Sequence, residues 1–146
     1  MFQRLLIFLM LCCFHSAAIA TKQNSKLKIA TTVSPITNIV QNVGGTAVDV
    51  KGVVPDGIDS HTFEPLPSDA KLLQEADLII VNGLDLELPT LQLAEKVKKT
   101  YVPILQLGNR VLSKEEWRYD FSFPRELGHP NPHLWLNIEL VMRYVK

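Results

Sequence analysis

The chain has 146 residues, 47% hydrophobic and 21% charged, with 7 glycines and 9 prolines. That composition suits a globular protein and excludes a disordered chain, a collagen-like repeat and a polytopic membrane protein. Lysine and arginine number 15 against 15 acidic residues, so the chain lacks the basic excess that marks a nucleic-acid binder.

The first twenty residues read as a cleavable leader. Met1 to Arg4 is a short positive start, and Leu5 to Phe14 is an apolar run of ten residues. A membrane-spanning helix needs about 20. Ala18-Ile19-Ala20 supplies the small-x-small pattern of a signal-peptidase site. Cleavage there leaves 126 residues with 14 basic and 15 acidic side chains, and removes Cys12 and Cys13, the only cysteines. No disulfide framework, cysteine metal cluster or cysteine nucleophile is then available. Leu11 and Cys12 are poor matches to the small residue that precedes a lipidated cysteine. The expectation is a soluble periplasmic or secreted protein.

Residues 21–25 are polar and read as a disordered start. Leu27 to Val33 is β-branched and apolar, a strand buried on both faces. Ser34-Pro35 offers an N-cap hydroxyl and a proline at the first helical position. Ile36, Ile39, Val40 and Val43 then recur at helical spacing before Gly44-Gly45. Ala47 to Val54 alternates as a second strand, closed by Pro55, and 56–60 is a loop. A short helix is expected near Ser68 to Ala76, a buried strand over Asp77 to Gly83, and a helix over Leu86 to Lys98. Tyr101 to Leu107 is a fourth strand that Pro103 confines to a sheet edge. Asn109 to Gly128 reads as a polar loop without periodicity. From Asn137, a plausible N-cap, Leu140, Val141 and Tyr144 start a helix that meets no terminator before Lys146. Alternating strands and helices predict an α/β fold with a parallel four-stranded sheet flanked by helices.

Three histidines follow the leader: His61, His129 and His133. His61 stands in Asp59-Ser60-His61-Thr62-Phe63-Glu64-Pro65, just after a strand and loop, where open parallel sheets place ligands. His133 stands behind two prolines and just before a helix. A lone loop histidine is more often a surface or hydrogen-bonded residue than a ligand. Two such loops make a ligand pair the sharper reading. His129 and His133 have the i, i+4 spacing of helical zinc pairs, but Pro130 and Pro132 forbid a regular helix there. Glu64 reads as a residue that orients the His61 loop, Trp135 as packing under His133, and Asp85 and Glu87 as solvated or helix-starting charges.

Lys28 to Gly45, then G-I-D-S-H-T-F-E-P-L-P-S-D, A-D-L-I-I-V-N-G-L-D-L-E and N-P-H-L-W-L-N, taken together and in this order, resemble the metal-binding solute-binding proteins of zinc and manganese ABC transporters. The resemblance runs from about Lys26 to the last residue. It implies one lobe of a two-lobed protein in which metal lies between lobes joined by a long helix. By matching motifs it implies His61 and His133 as first-lobe ligands, Zn2+ or Mn2+ as the ion, a membrane permease as partner, and no stable oligomer of a full-length homologue. Ser60, Asn131 and Asn137 depart from the family's frequent proline and aspartates. The family also runs to about twice this length. The expected organisation is therefore a leader (1–20), an N-terminal α/β metal-binding lobe (26–136) and the start of an interlobe helix (137–146), cut off. The competing readings are a zinc hydrolase with His61, His129 and His133 as ligands and Glu64 as base, and a non-functional fragment of a longer binding protein. No H-E-x-x-H motif favours the former.

Overall fold

The structure, a computed structural model, describes residues 25–146, so the expected leader and the start at 21–24 lie outside the described residues. Four strands, β1 (Leu27–Thr31), β2 (Val48–Gly52), β3 (Leu78–Val81) and β4 (Ile104–Gln106), form one parallel sheet in the order β2-β1-β3-β4. Helices α1 (Ser34–Gly44), α2 (Pro67–Glu75) and α3 (Leu88–Val97) make the crossovers, as the alternation predicts. Each strand is shorter than its apolar run. Val53 and Val54 nonetheless extend the β2 ladder, their N–H groups donating to the carbonyls of Thr31 and Thr32 at 2.8 and 2.9 Å.

The period-two pattern of the strands divides the core between two faces. Ile29 of β1 and Ile80 of β3 turn toward Ile36 and Val40 of α1. Ala30, Ile79 and Val81 turn the other way, against Leu73 of α2 and Ala94 of α3. One helix thus covers the first face and two cover the second. Over the β3–β4 half of the first face, Leu78, Leu105, Leu107 and Tyr144 line a wide, partly open groove. β4 lies at the edge, and Pro103 stands directly before it, its carbonyl accepting the Ile79 N–H at 3.1 Å.

Some local expectations need correction. Ser34 does not cap α1: the capping position is Val33, Pro35 falls in the first turn, and the Ser34 hydroxyl donates to the Asp56 carboxylate of the loop after β2. At α2 it is Asp69 that reaches back, accepting the Leu66 N–H at 2.7 Å. The segment expected as loop from Asn109 begins inside a short helix, α4 (Leu107–Val111), and continues through single 3-10 turns at Lys114–Glu116 and Arg125–Leu127. Leu107 and Leu112 are buried, an anchorage too short to leave a helical period in the sequence. The last helix, α5 (Ile138–Tyr144), starts as expected, with the Asn137 carboxamide accepting the Glu139 N–H at 2.9 Å. Among the described residues no helix is long and apolar enough to cross a membrane.

Candidate metal site

The chain leaves β1 toward β2 on one side and returns to β3 on the other, so the carboxyl ends of β1 and β3 flank a topological switch point, where open α/β sheets bind ligands. Thr32 follows β1 and Asn82 follows β3; both are fully buried and polar. Between them lies Glu87, 2% exposed. Its Oε1 accepts the Thr32 hydroxyl and, at 2.7 Å, the Asn82 N–H, and its Oε2 accepts the Gly83 N–H at 3.2 Å. Burial pushes the Glu87 carboxyl above its ordinary range, partly offset by these donors. Glu87 is therefore a structural buckle between two strand ends; it stands at the start of α3, as one of its two expected readings had it, while the other, a solvated charge, is overturned.

The Asn82 side chain carries the buckle outward. Its Nδ2 donates to the Pro132 carbonyl at 3.0 Å, and its Oδ1 accepts the Tyr144 hydroxyl of α5, also at 3.0 Å. The loop that bears His133 is thereby fixed to the end of β3. Beyond Asn82 the backbone takes three left-handed residues in a row, Gly83, Leu84 and Asp85, at φ of 80°, 54° and 62°. Asn109 Oδ1 accepts the Leu84 N–H at 3.0 Å, and a Cβ on Gly83 would meet that same oxygen at 2.2 Å, so glycine is required.

On this platform two loops meet. Asp59 Oδ1 accepts the His61 N–H at 2.9 Å and shapes the loop after β2, the role expected of Glu64, which lies exposed. The structure brings His61 and His133 together, Nε2 to Nε2 at 3.4 Å. Phe123 lies against both rings, with centroids at 5.7 and 5.4 Å, and Trp135 packs edge-on to His133 at 5.2 Å, under the loop as expected. Asn131 Oδ1 accepts both the backbone N–H of His133, at 2.9 Å, and its Nδ1–H, at 2.8 Å. Asn131 Nδ2 donates to Asp120 at 2.6 Å. That bond is the main cause holding the Asp120 carboxyl below its ordinary range. Burial, with the neighbouring His61, holds His133 below the ordinary histidine value, which favours the neutral ring.

His129 goes elsewhere. It lines the same cleft of about 280 Å³ as His61, but its Nδ1 is 2.7 Å from Asp85 Oδ2. Among the described residues no group of three or more His, Cys, Asp or Glu side chains is placed to hold a metal ion. The three-histidine set with Glu64 as base is therefore not assembled. The arrangement can offer two neutral imidazole nitrogens to one ion from one side. Glu87 and Asp120 were missed as functional residues; only the acidic residue ending N-G-L-D-L-E hinted at the first, and nothing marked the second.

The family model for zinc-uptake complex component A, periplasmic, matches residues 29–146. The chain belongs to this family. The manganese ABC transporter substrate-binding lipoprotein PsaA of Streptococcus anginosus is 38% identical over 129 residues, covering 83% of this chain and 39% of that protein. The iron ABC transporter substrate-binding lipoprotein MtsA of Streptococcus pyogenes serotype M1 is 32% identical over 147 residues, covering 96% of this chain and 45% of that protein. The periplasmic zinc-binding protein TroA of Treponema pallidum shares the fold, with a TM-score of 0.70 at 24% identity over 83% of this chain and 41% of that one. The chain thus spans less than half the length of the relatives it matches, and the expected two-lobed family is the one it belongs to.

Proposed function

We propose that this lobe captures a divalent transition metal outside the cytoplasmic membrane for delivery to an ABC transporter permease, with His61 and His133 as ligands through Nε2. The observation that carries the reading is the approach of those two nitrogens to 3.4 Å across 72 residues of sequence, on loops fixed to the carboxyl edge of the sheet. Two unprotonated imidazoles that close repel as lone pairs unless a proton or a cation lies between them, and a metal ion satisfies both. Zinc suits two imidazoles, while manganese accepts them when carboxylates complete the set. The relatives are named for manganese and iron transport as well, so the ligands beyond this pair decide the metal. Reversible capture needs no nucleophile and no base, and the relatives are named as transporter substrate-binding proteins. The test is X-ray absorption on the zinc-loaded chain. Two imidazoles in the first shell, falling to one in His61→Ala or His133→Ala, are expected; a shell of oxygen donors alone overturns the assignment.

A further inference from the structure

Resting on that reading, we propose that Asp120 and Asn131 form a positioning relay that fixes the tautomer of His133 and so presents a bare Nε2 to the metal. The polarity of the relay follows from backbone N–H groups, which can only donate. Asp120 Oδ1 accepts the backbone N–H groups of Ser122 and Phe123 at 2.9 and 3.0 Å, which pins the carboxylate. Its Oδ2 therefore faces Asn131 as an acceptor at 2.6 Å, and the Asn131 atom there must be the amide nitrogen. The opposite end of the same amide receives the His133 backbone N–H at 2.9 Å, which only an oxygen can do. Both ends agree, so the amide has one orientation. Its oxygen then lies 2.8 Å from His133 Nδ1, which must carry the hydrogen. The lone pair is left on Nε2, the atom that faces His61.

A neutral amide holds the ring without drawing its proton as a carboxylate would, so the imidazole remains a weaker donor than one backed directly by Asp or Glu. The charge of Asp120 acts one step removed. The relay also makes a substitution pattern that packing alone would not produce. In Asp120→Asn, an isosteric change, the atom facing Asn131 becomes a donor, because the other remains the acceptor for Ser122 and Phe123. The Asn131 amide then meets a donor at one end or turns its own nitrogen toward His133 Nδ1. The unturned amide still accepts Nδ1–H but sets donor against donor at position 120, and relief of that clash by the turn takes the acceptor away from Nδ1, so the Nδ1–H tautomer loses its support. Asn131→Asp alone sets two carboxylates against each other. The exchange Asp120→Asn with Asn131→Asp restores donor to acceptor at every link.

The test uses the full chain, metal-free, at a pH where imidazole is neutral, with the 15N shifts of the His133 ring read by NMR, followed by zinc titration. The unmodified chain is expected to show the Nδ1–H form. Asp120→Asn is expected to lose that preference and to bind zinc about 10- to 100-fold more weakly, and the exchange variant to regain both. A predominant Nε2–H form in the unmodified chain, a tautomer indifferent to Asp120→Asn, or a lost tautomer with unchanged zinc affinity each overturns the relay. Should the unmodified chain bind no zinc, the proposed function fails, while the tautomer pattern still decides whether the relay exists.

Discussion

At the scale of single residues, the site is a set of side chains whose protonation is governed by neighbours. Burial is the larger cause that depresses His133, and His61 adds to it. His61→Ala removes the second cause and opens the ring to water, so His133 is expected to titrate at a higher pH in that variant, as an NMR pH titration of the metal-free protein would show; an unchanged or lower value would contradict the placement of the two rings. The linkage has a definite sign. The folded state holds His133 less protonated than the unfolded chain, so stability drawn from this residue is lost as pH falls from about 6.5, the unfolded value, through the lower folded value. Metal binding weakens over the same range, because protons compete for the lone pair. His129 sits apart, on Asp85, and His129→Ala is expected to leave zinc affinity within a few-fold of the unmodified chain.

At the scale of elements, the Glu87 buckle ties the ends of β1 and β3 to the loop of His133. Glu87→Ala strands the donors of Thr32, Asn82 and Gly83 in a buried setting, an expected loss of roughly 2–4 kcal/mol in urea unfolding. Glu87→Gln keeps the shape and one acceptor, and its loss is expected to be smaller. Because burial raises the Glu87 pKa, the folded state holds this proton more tightly than the unfolded chain, so stability drawn from it falls as pH rises from about 4.5 through the folded value. The difference between the unmodified chain and Glu87→Gln should therefore shift in favour of Glu87 on acidification; no shift with pH would mean that the carboxyl is not desolvated. The elements themselves were legible because their periods were clean: Ile36 and Val40 one helical turn apart, and Ile79 and Ile80 on opposite faces of a buried strand. The stretch after Gln106 was not, since α4 has five residues and is held by Leu107, Gly108 and later Leu112 rather than by a periodic stripe. For the site, the two histidine loops were readable from motifs, but the partners of those histidines were not. Asp120 and Asn131 are eleven residues apart in a segment without period, and only the fold brings the pair together.

At the scale of the whole molecule, α1 covers one half of its sheet face, and α5 reaches the other half with no buried residue of its own. Leu140 and Tyr144 pack, partly buried, against Leu84, Leu112 and Leu134, and the polar tethers of α5 are Tyr144 to Asn82 at 3.0 Å and Arg143 to the Val111 carbonyl and Glu116 at 3.1 and 2.8 Å. The exposed Arg143–Glu116 pair contributes little and no residue of α5 is fully buried, so α5 is expected to open locally and exchange its amide hydrogens well before β1 and β3, and faster still in Tyr144→Phe, which removes the bond to Asn82. On the proposed reading the lobe offers one ion two imidazoles, and among the described residues no group of three or more His, Cys, Asp or Glu side chains is placed to hold it. A complete structural zinc site in a small peptide is worth about 10–16 kcal/mol, and half of the ligands are expected to keep about half of that, a dissociation constant roughly between micromolar and sub-millimolar. The most direct measurement of the central claim, that His61 and His133 act as one metal-binding pair, is titration calorimetry with zinc and manganese on the chain, His61→Ala, His133→Ala and His129→Ala. Binding in the stated range that disappears in the first two variants and persists in the third is the predicted result; unchanged affinity in both His61→Ala and His133→Ala would contradict the pair, and nanomolar affinity in the unmodified chain would contradict its having only two protein ligands.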